Sequence, residues 1–402
     1  MPEAVIVATA RSPIGRAGKG SLTSIRADDL AAHLLGAVME KVPALPPEQV
    51  EDVIMGCAQP AGEQGHNVAR VTAILAGLGH VPGVTVNRYC SSSLQTIRMA
   101  AHAIRAGEGD VFIAAGVECV SRYGAGASDT PGSTNPAFKE ARERSTLRAN
   151  GGQPSWTPPE GLPDIYIAMG QTAENVRELE GVTRREMDEF ATLSQNRAVE
   201  SAENGFFERE ITPVTLPDGT IVSKDDGPRP GTTVEKLAEL KAVFRPDGEV
   251  TAGNSCPLND GAAAVVVMSD ERARELGITP IARVVASAVS ALNPEIMGLG
   301  PIEACRAALK RAGMTIDDVD LVEINEAFAA QVVPSAKHLG ISWDKLNVHG
   351  GAIALGHPFG MTGARIMTTL LNGLETSGGT IGLESMCVGG GQGMAMIVER
   401  LS

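Results

Sequence analysis

Two stretches of this chain follow one plan, and that repetition constrains the fold more than any other feature. In the first, VEDVIMGC at Val50–Cys57 reads as a strand. A short apolar run follows at Val84–Val86 and reads as a buried strand. Then come a turn carrying Cys90, a helix, and the apolar strand DVFIAAG at Asp110–Gly116. In the second, VDLVEINEAF holds a strand at Val319–Ile324. An extended piece follows at Asn347–His349, then a glycine-rich turn to His357, a helix at Ala364–Leu374 and a strand at Thr380–Val388. Continuously apolar strands that alternate with helices belong to sheets covered on both faces. The expected fold class is therefore α/β, a duplicated unit with an insertion between the copies.

Cys90 lies in NRYCSSSLQTIRM, Asn87–Met99. Beyond it Leu94, Ile97, Ala101 and Ile104 share one face of a helix that stops at Gly107. The cysteine sits at a strand-to-helix junction, where unpaired N–H groups and the helix dipole favour a thiolate. The alternative is a small apolar cysteine buried for packing.

Composition narrows the function classes. The chain has 402 residues, enough for two to three domain-sized units, and a net charge of -14. Nucleic acid is an unsuitable partner, because its phosphates need a basic face. An anionic ligand would need a local basic pocket. The six cysteines form no C-x-x-C pair, so zinc-ribbon and thioredoxin-type sites are not expected. Their scatter fits a reducing compartment. The N-terminus, MPEAVIVATARSPIG, reads as a strand and turn, without the features of a signal peptide. No apolar run is long enough to span a bilayer, and the ending VERLS matches no sorting signal. A cytoplasmic protein with no membrane partner is expected.

Further elements follow in order. Ala4–Ala8 is a strand, and Asp28–Glu40 an amphipathic helix with Leu30, Leu34, Leu35 and Val38 inward. His66–Leu78 reads as a helix closed by Gly79. Tyr123–Pro163 is rich in Gly, Pro, Ser and Asn and opens an inserted region of short elements. Ala173–Leu179 and Arg184–Glu200 are helical, the second facing inward with Met187, Phe190, Ala191 and Ser194. Thr212–Val250 is loop-rich. The α/β texture returns with the strand Ala262–Met268. Pro301 opens a helix that ends at Gly313. Ala327–Leu339 is helical, with a kink expected at Pro334. Met394–Val398 is the last strand.

Three more residues stand where open sheets present chemistry, at strand ends and helix starts. His357 lies in GGAIALGHPFGMTGAR. His349 and His357 do not have zinc spacing, and no metal is expected. Asn325 ends a strand in INEAFAAQ, and helix capping is its simplest role. Cys387 precedes GGGQG. That run lacks the dinucleotide spacing and leads into a strand, so its glycines suit close backbone approach to a ligand. A nucleophilic Cys, a His to take its proton and a second Cys to move protons make a complete acyl-transfer set.

Together NRYCSSSLQTI, NEAFAAQ, GGAIALGHPFGMTGAR and CVGGGQGMA resemble the thiolase family, in the family's order. AMGQTAENV at Ala168–Val176, VFRPDGEVTAGN and LNDGAAA at Leu258–Ala264 extend the resemblance over nearly the whole chain. The resemblance implies the thiolase fold: duplicated halves in a five-layer αβαβα sandwich with an inserted loop domain. The N-terminal half would be residues 1–121 with 250–280, the CoA-binding loop domain 122–249, and the C-terminal half 281–402. Cys90 would carry the acyl group as a thioester. His357 would activate Cys90 and, with a water held by Asn325, stabilise the enolate or oxyanion. Cys387 would be the acid/base at the substrate α-carbon. The N–H groups of Cys90 and Gly389 would form a second oxyanion hole. Coenzyme A would be a substrate, with no permanently bound cofactor. Arg229 would meet its adenine end, and Met169 and Cys256 would lie near its pantetheine arm. A homodimer or homotetramer is implied. Ala168, Cys256 and His349 depart from the histidine, serine and asparagine common at these positions.

The resulting expectation is an acetyl-CoA C-acyltransferase that cleaves 3-ketoacyl-CoA with CoA. One alternative is the reverse condensation of two acetyl-CoA. Another is a β-ketoacyl synthase, which pairs its Cys with two His and which Cys387 argues against. The last is an inactive lipid or CoA carrier, disfavoured because all four catalytic residues are present.

Overall fold

The computed structural model describes residues 2–125, 130 and 132–402. The first half contains β1 (Ala4–Arg11), β2 (Gly15–Arg16), α1 (Ala27–Glu40), β3 (Asp52–Gly56), α2 (Val68–Leu75), β4 (Gly83–Val86), α3 (Ser92–Ala106) and β5 (Val111–Cys119). Helices α4 (Lys139–Ala149), α5 (Met169–Glu180) and α6 (Arg184–Glu203) follow. The ribbon of β6 (Val214–Thr215) and β7 (Ile221–Val222) leads to α7 (Val234–Ala238). Then β8 (Asn259–Ser269) and α8 (Asp270–Leu276) precede the second half. It comprises β9 (Ala282–Ala291), α9 (Gly300–Ala312), β10 (Leu321–Ile324), α10 (Ala329–Leu339), α11 (Ala352–Leu355), α12 (Thr362–Ser377), β11 (Ile381–Val388) and β12 (Gln392–Arg400).

The strand order, β10-β11-β12-β9-β1-β8-β5-β3-β4, contains the same pattern twice. In the first half β1, β8 and β5 are antiparallel, then β5, β3 and β4 are parallel. In the second, β9, β12 and β11 are antiparallel, β11 and β10 are parallel, and Leu346 bridges in parallel to Val322. The halves meet where Val5 and Ile6 of β1 pair with Arg283 and Ala282 of β9.

Three apolar cores turn this sheet path into five layers. Leu30, Leu34 and Leu35 of α1 pack with Val53 and Met55 on one sheet face. Ile54, between those two, points the other way and joins Leu94 and Ile97 of α3 and Ile366 and Leu370 of α12 in the central core. That period-two switch is why β3 is apolar at three successive positions, Val53, Ile54 and Met55. The central core also takes Met386 and Met394 from the second half's strands. Ile302 and Leu309 of α9 and Val332 of α10 cover the outer face with Leu383 and Ile397. The layers run α, β, α, β, α, with α3 and α12 in the middle.

Several sequence expectations change in detail. β4 is the last strand of the path, not a buried one, and Val84 is exposed. β9 was not legible: ARVVASAVSA alternates buried and half-buried positions, but its small residues give little hydropathy contrast. Helix α4 lies within the stretch read as aperiodic, because only Ala141 of it is buried. Asn347–His349 is not extended; Asn347 has a φ of 46° and turns the chain. Helix α10 continues through Pro334 from Ala329 to Leu339.

Candidate active site

Cys90 sits in a single 3-10 turn, Tyr89–Ser91, between β4 and α3. Tyr89 holds a left-handed φ of 44°, a costly conformation for a side-chain-bearing residue. Local bonds hold it there. Tyr89 N–H donates to Asn87 Oδ1 at 2.8 Å, Arg88 N–H to Ser92 Oγ at 2.9 Å, and Ser92 Oγ to the Tyr89 carbonyl at 2.7 Å. The turn rests on Gly56, where a Cβ would lie 2.5 Å from the Ser92 carbonyl carbon.

The end of β11 faces this turn. Cys387 is fully buried on β11, and the chain reverses through Gly390 and Gly391, both with positive φ. The N–H groups of Gly389 and of Cys90 itself point at the Cys90 sulfur. Burial raises the Cys387 thiol pKa first, and Cys90 and Cys256 lie close enough to raise it further; burial and then Cys90 do the same to Cys256. The fold thus gathers Cys90, Gly389, Cys387 and Cys256, from segments separated by up to hundreds of residues.

His357 follows α11 and precedes α12. Its Nδ1 lies 2.7 Å from Thr362 Oγ1, whose own proton goes to the Pro358 carbonyl at 2.8 Å. The hydroxyl must therefore accept, so Nδ1 carries the proton and Nε2 a lone pair. Asn325 Nδ2 approaches that lone pair at 3.3 Å. Asn325 does not cap a helix, since α10 begins only at Ala329. Its Oδ1 is buried and has no partner among the described residues. No hydrogen bond joins His357 directly to Cys90 among the described residues.

Burial dominates the electrostatics. It pushes the Cys90 thiol up to about 11, while the N–H groups of Gly389 and Cys90 pull it down. The sequence expectation of a resting thiolate is corrected: the helix-start amides are present, but desolvation outweighs them. Burial, then Arg365, pushes His357 down to about 3. The resting pair is a neutral thiol and a neutral imidazole.

Two cavities flank the thiols. One, of about 580 Å³, contains Cys90, Gly389, Ala168, Met169 and Phe359 in its walls. The other, of about 410 Å³, contains Arg229, Arg16, Cys256 and Phe244. Met169 is thus on the Cys90 side, and Arg229 and Cys256 share the second cavity. His349 is in neither; it stacks on Phe206 at 3.5 Å, and its Nδ1 meets Ser201 Oγ at 3.0 Å.

Sequence reasoning missed two supporting residues. Thr362 fixes the His357 tautomer from one turn further on. Glu118, fully buried in β5, accepts from Ala58 N–H at 2.8 Å, Gly360 N–H at 2.9 Å and the Tyr123 hydroxyl at 2.9 Å. It ties the loop after β3 to the loop after His357. An acidic residue inside the apolar run VFIAAGVEC was its signal.

The chain matches the family models for the thiolase N-terminal domain over residues 4–271 and the thiolase C-terminal domain over residues 278–400. It is 45% identical to the beta-ketoadipyl-CoA thiolase of Acinetobacter baylyi, with 100% of each chain covered. It is 44% identical to the 3-ketoacyl-CoA thiolase of Aeromonas hydrophila, again with 100% of each covered. The crystal structure of the Bacillus anthracis acetyl-CoA acetyltransferase matches with a TM-score of 0.86 at 39% identity, over 100% of this chain and 99% of that one. The chain belongs to the thiolase family. It is accordingly an acyltransferase enzyme, of the kind that works on acyl-CoA and CoA.

Proposed function

We propose that the protein is a 3-ketoacyl-CoA thiolase: it cleaves 3-ketoacyl-CoA with CoA to acetyl-CoA and a shortened acyl-CoA. The single observation that supports this most is the convergence of Cys90, Gly389 and Cys387, with Asn325, the partner of His357, bonded to the same strand as Cys387 through its N–H to the Ser385 carbonyl at 2.9 Å. Cys90 gives its proton to His357 Nε2 and attacks the 3-keto carbon. The N–H groups of Cys90 and Gly389 stabilise the oxyanion. The bond between the α-carbon and the 3-keto carbon breaks, and Cys387 protonates the α-carbon, releasing acetyl-CoA. The thiol of a second CoA then attacks the Cys90 thioester, its proton taken by the enzyme's base, and frees the enzyme. Asn325 Oδ1 and His357 face the acetyl-CoA thioester oxygen through a water.

In this reading the segment 122–249 is a CoA-binding loop domain inserted into a half made of 1–121 and 250–280, followed by the half 281–402. Arg229 and Arg16 supply the local positive charge that CoA phosphates need. The open edge of β4, with Val84 exposed, supports assembly as a homodimer or homotetramer. Free, scattered thiols support a cytoplasmic site. Among the described residues, no helix is long and apolar enough to cross a membrane. The test is CoA consumption, followed with a thiol reagent, in the presence of acetoacetyl-CoA. Turnover that depends on both substrates is expected; binding without turnover would leave only a carrier.

A further inference from the structure

Between α4 and α5 the chain has no helix or strand, yet this stretch ends in residues 165–168, which line the Cys90 cavity. A segment without its own backbone ladder keeps its place only through tertiary bonds. Two of those bonds go to one carboxylate. Glu295 Oε2 accepts the Trp156 indole Nε1–H at 2.7 Å, and Oε1 accepts the Asp164 N–H at 2.9 Å. All three residues are buried. Asp164 passes the hold on to the wall, since its Oδ1 accepts the Tyr166 N–H at 3.0 Å. Among the described residues, Glu295 is the only side chain of the second half that hydrogen-bonds to residues 150–168. Its backbone is fixed against the opposite wall. Glu295 lies in the turn Pro294–Leu299, between β9 and α9, where Asn293 Oδ1 accepts its N–H at 2.9 Å. Just before it, Leu292 N–H donates to the Gly391 carbonyl at 2.8 Å, and a Cβ on Gly391 would stand 2.7 Å from Pro294 N. Glu295 therefore joins the glycine turn that carries the Gly389 N–H to the wall that faces it. The two meet where Ile165 Cδ1 comes within 3.5 Å of a Cβ position on Gly390. A carboxylate with one donor on each oxygen holds both in charge-assisted bonds, and an amide in its place strands a buried donor.

We propose that Glu295 is a positioning residue for acyl-chain length: it holds the wall at residues 165–168 against the glycine turn at residues 389–391, and acyl chains that extend past the reacting carbons depend on that wall. This rests on acyl transfer at Cys90. The full-length enzyme is assayed with acetoacetyl-CoA and 3-oxooctanoyl-CoA, which differ only in how far the chain runs beyond the 3-keto carbon. Glu295→Gln turns an amide N–H toward one of the two donors. It should raise KM for 3-oxooctanoyl-CoA by about tenfold, the scale of one stranded buried donor, and leave its kcat and both constants for acetoacetyl-CoA within about twofold. Trp156→Phe removes the indole donor, keeps a ring and should raise the same KM by about threefold. Added to Glu295→Gln, it should recover part of the tenfold loss, because the amide then faces no indole N–H. Losses that add in the double variant, or an unchanged KM for 3-oxooctanoyl-CoA in Glu295→Gln, overturn the proposal. An equal loss on both substrates also overturns it and assigns Glu295 to stability alone, as does a wild type that cleaves acetoacetyl-CoA but not 3-oxooctanoyl-CoA. If the wild type cleaves neither substrate, the acyl-transfer reading itself fails and takes the proposal with it.

Discussion

The two halves share a backbone plan and differ at the ends of their central strands. Glu51 N–H donates to the Val111 carbonyl as Asp320 N–H donates to the Ile381 carbonyl. Counting forward from those matched bonds sets Gly56 opposite Asn325 and Val117 opposite Cys387. The first half carries no reactive group at these ends. A Cβ on Gly56 would strike the Ser92 backbone, and Val117 is a buried apolar side chain. The second half carries an amide and a thiol at the matching places. The first half supplies its reactive group from the helix side, as Cys90. One copy yields room so that the starts of α3 and α12 can come together, where Ala364 N–H reaches Ser93 Oγ at 2.9 Å. The other copy fills that meeting point with chemistry. A duplicated scaffold makes one asymmetric site because the two copies have divided space and function.

That division can be broken in a graded way. Cys90→Ala removes the only contribution of the first half to bond making. CoA release from acetoacetyl-CoA should fall by about four orders of magnitude or more, with little change in melting temperature. Full activity in that variant would end the account. The matched positions Gly56 and Asn325 should then fail in opposite ways. Asn325→Ala should cost about 10²-fold in kcat and about 1 kcal/mol in stability. Gly56→Ala should cost about 1–3 kcal/mol in denaturant unfolding, as overpacking does. The reverse pattern would show that the strand ends do not divide the labour.

A smaller effect tests the electrostatics of the Cys90 turn. With its thiol raised by burial and its histidine lowered, Cys90 is protonated at neutral pH. Its alkylation by iodoacetamide should still be accelerating above pH 8. A plateau below pH 7 would show a resting ion pair with His357. The smallest expected effect lies away from the site, at His349. Burial, then Arg197, lowers its pKa to about 4. The unfolded chain takes up a proton below pH about 6.5 while the folded protein does not. The wild type should therefore lose stability relative to His349→Asn as pH falls from 6.5 toward 4. The difference should reach about 1 kcal/mol at pH 5, allowing for solvent screening of a partly exposed ring. Paired melts at pH 7 and pH 5 measure it, and a difference that does not change with pH would refute it.

The legibility of the sequence follows the range of the forces involved. The apolar strands, the turn at Cys90 and the caps at Gly107 and Gly313 are local, and they stand where periodicity and capping place them. The α/β class and the duplication were legible because matched strands repeat a pattern. β9 was not, because alanine and serine alternate there without contrast. The exposure of β4 was not, because sheet order is a tertiary property. At the site, the reactive residue types were visible, but their electrostatic state was not. The protonation of Cys90 depends on how deeply it is buried. The tautomer of His357 depends on where the Thr362 proton goes. Glu118 acts on Gly360 across 242 residues, which no local pattern reports.

The central claim is that the first half holds the acyl group and the second half moves the protons. Mass spectrometry of the wild type and of Cys387→Ala after incubation with acetyl-CoA tests it most directly, combined with exchange of the acetyl-CoA α-protons in deuterated water. The account predicts one acetyl group on the Cys90 peptide of both proteins, and α-proton exchange in the wild type alone. Loss of both acetylation and exchange in a folded Cys387→Ala would contradict it.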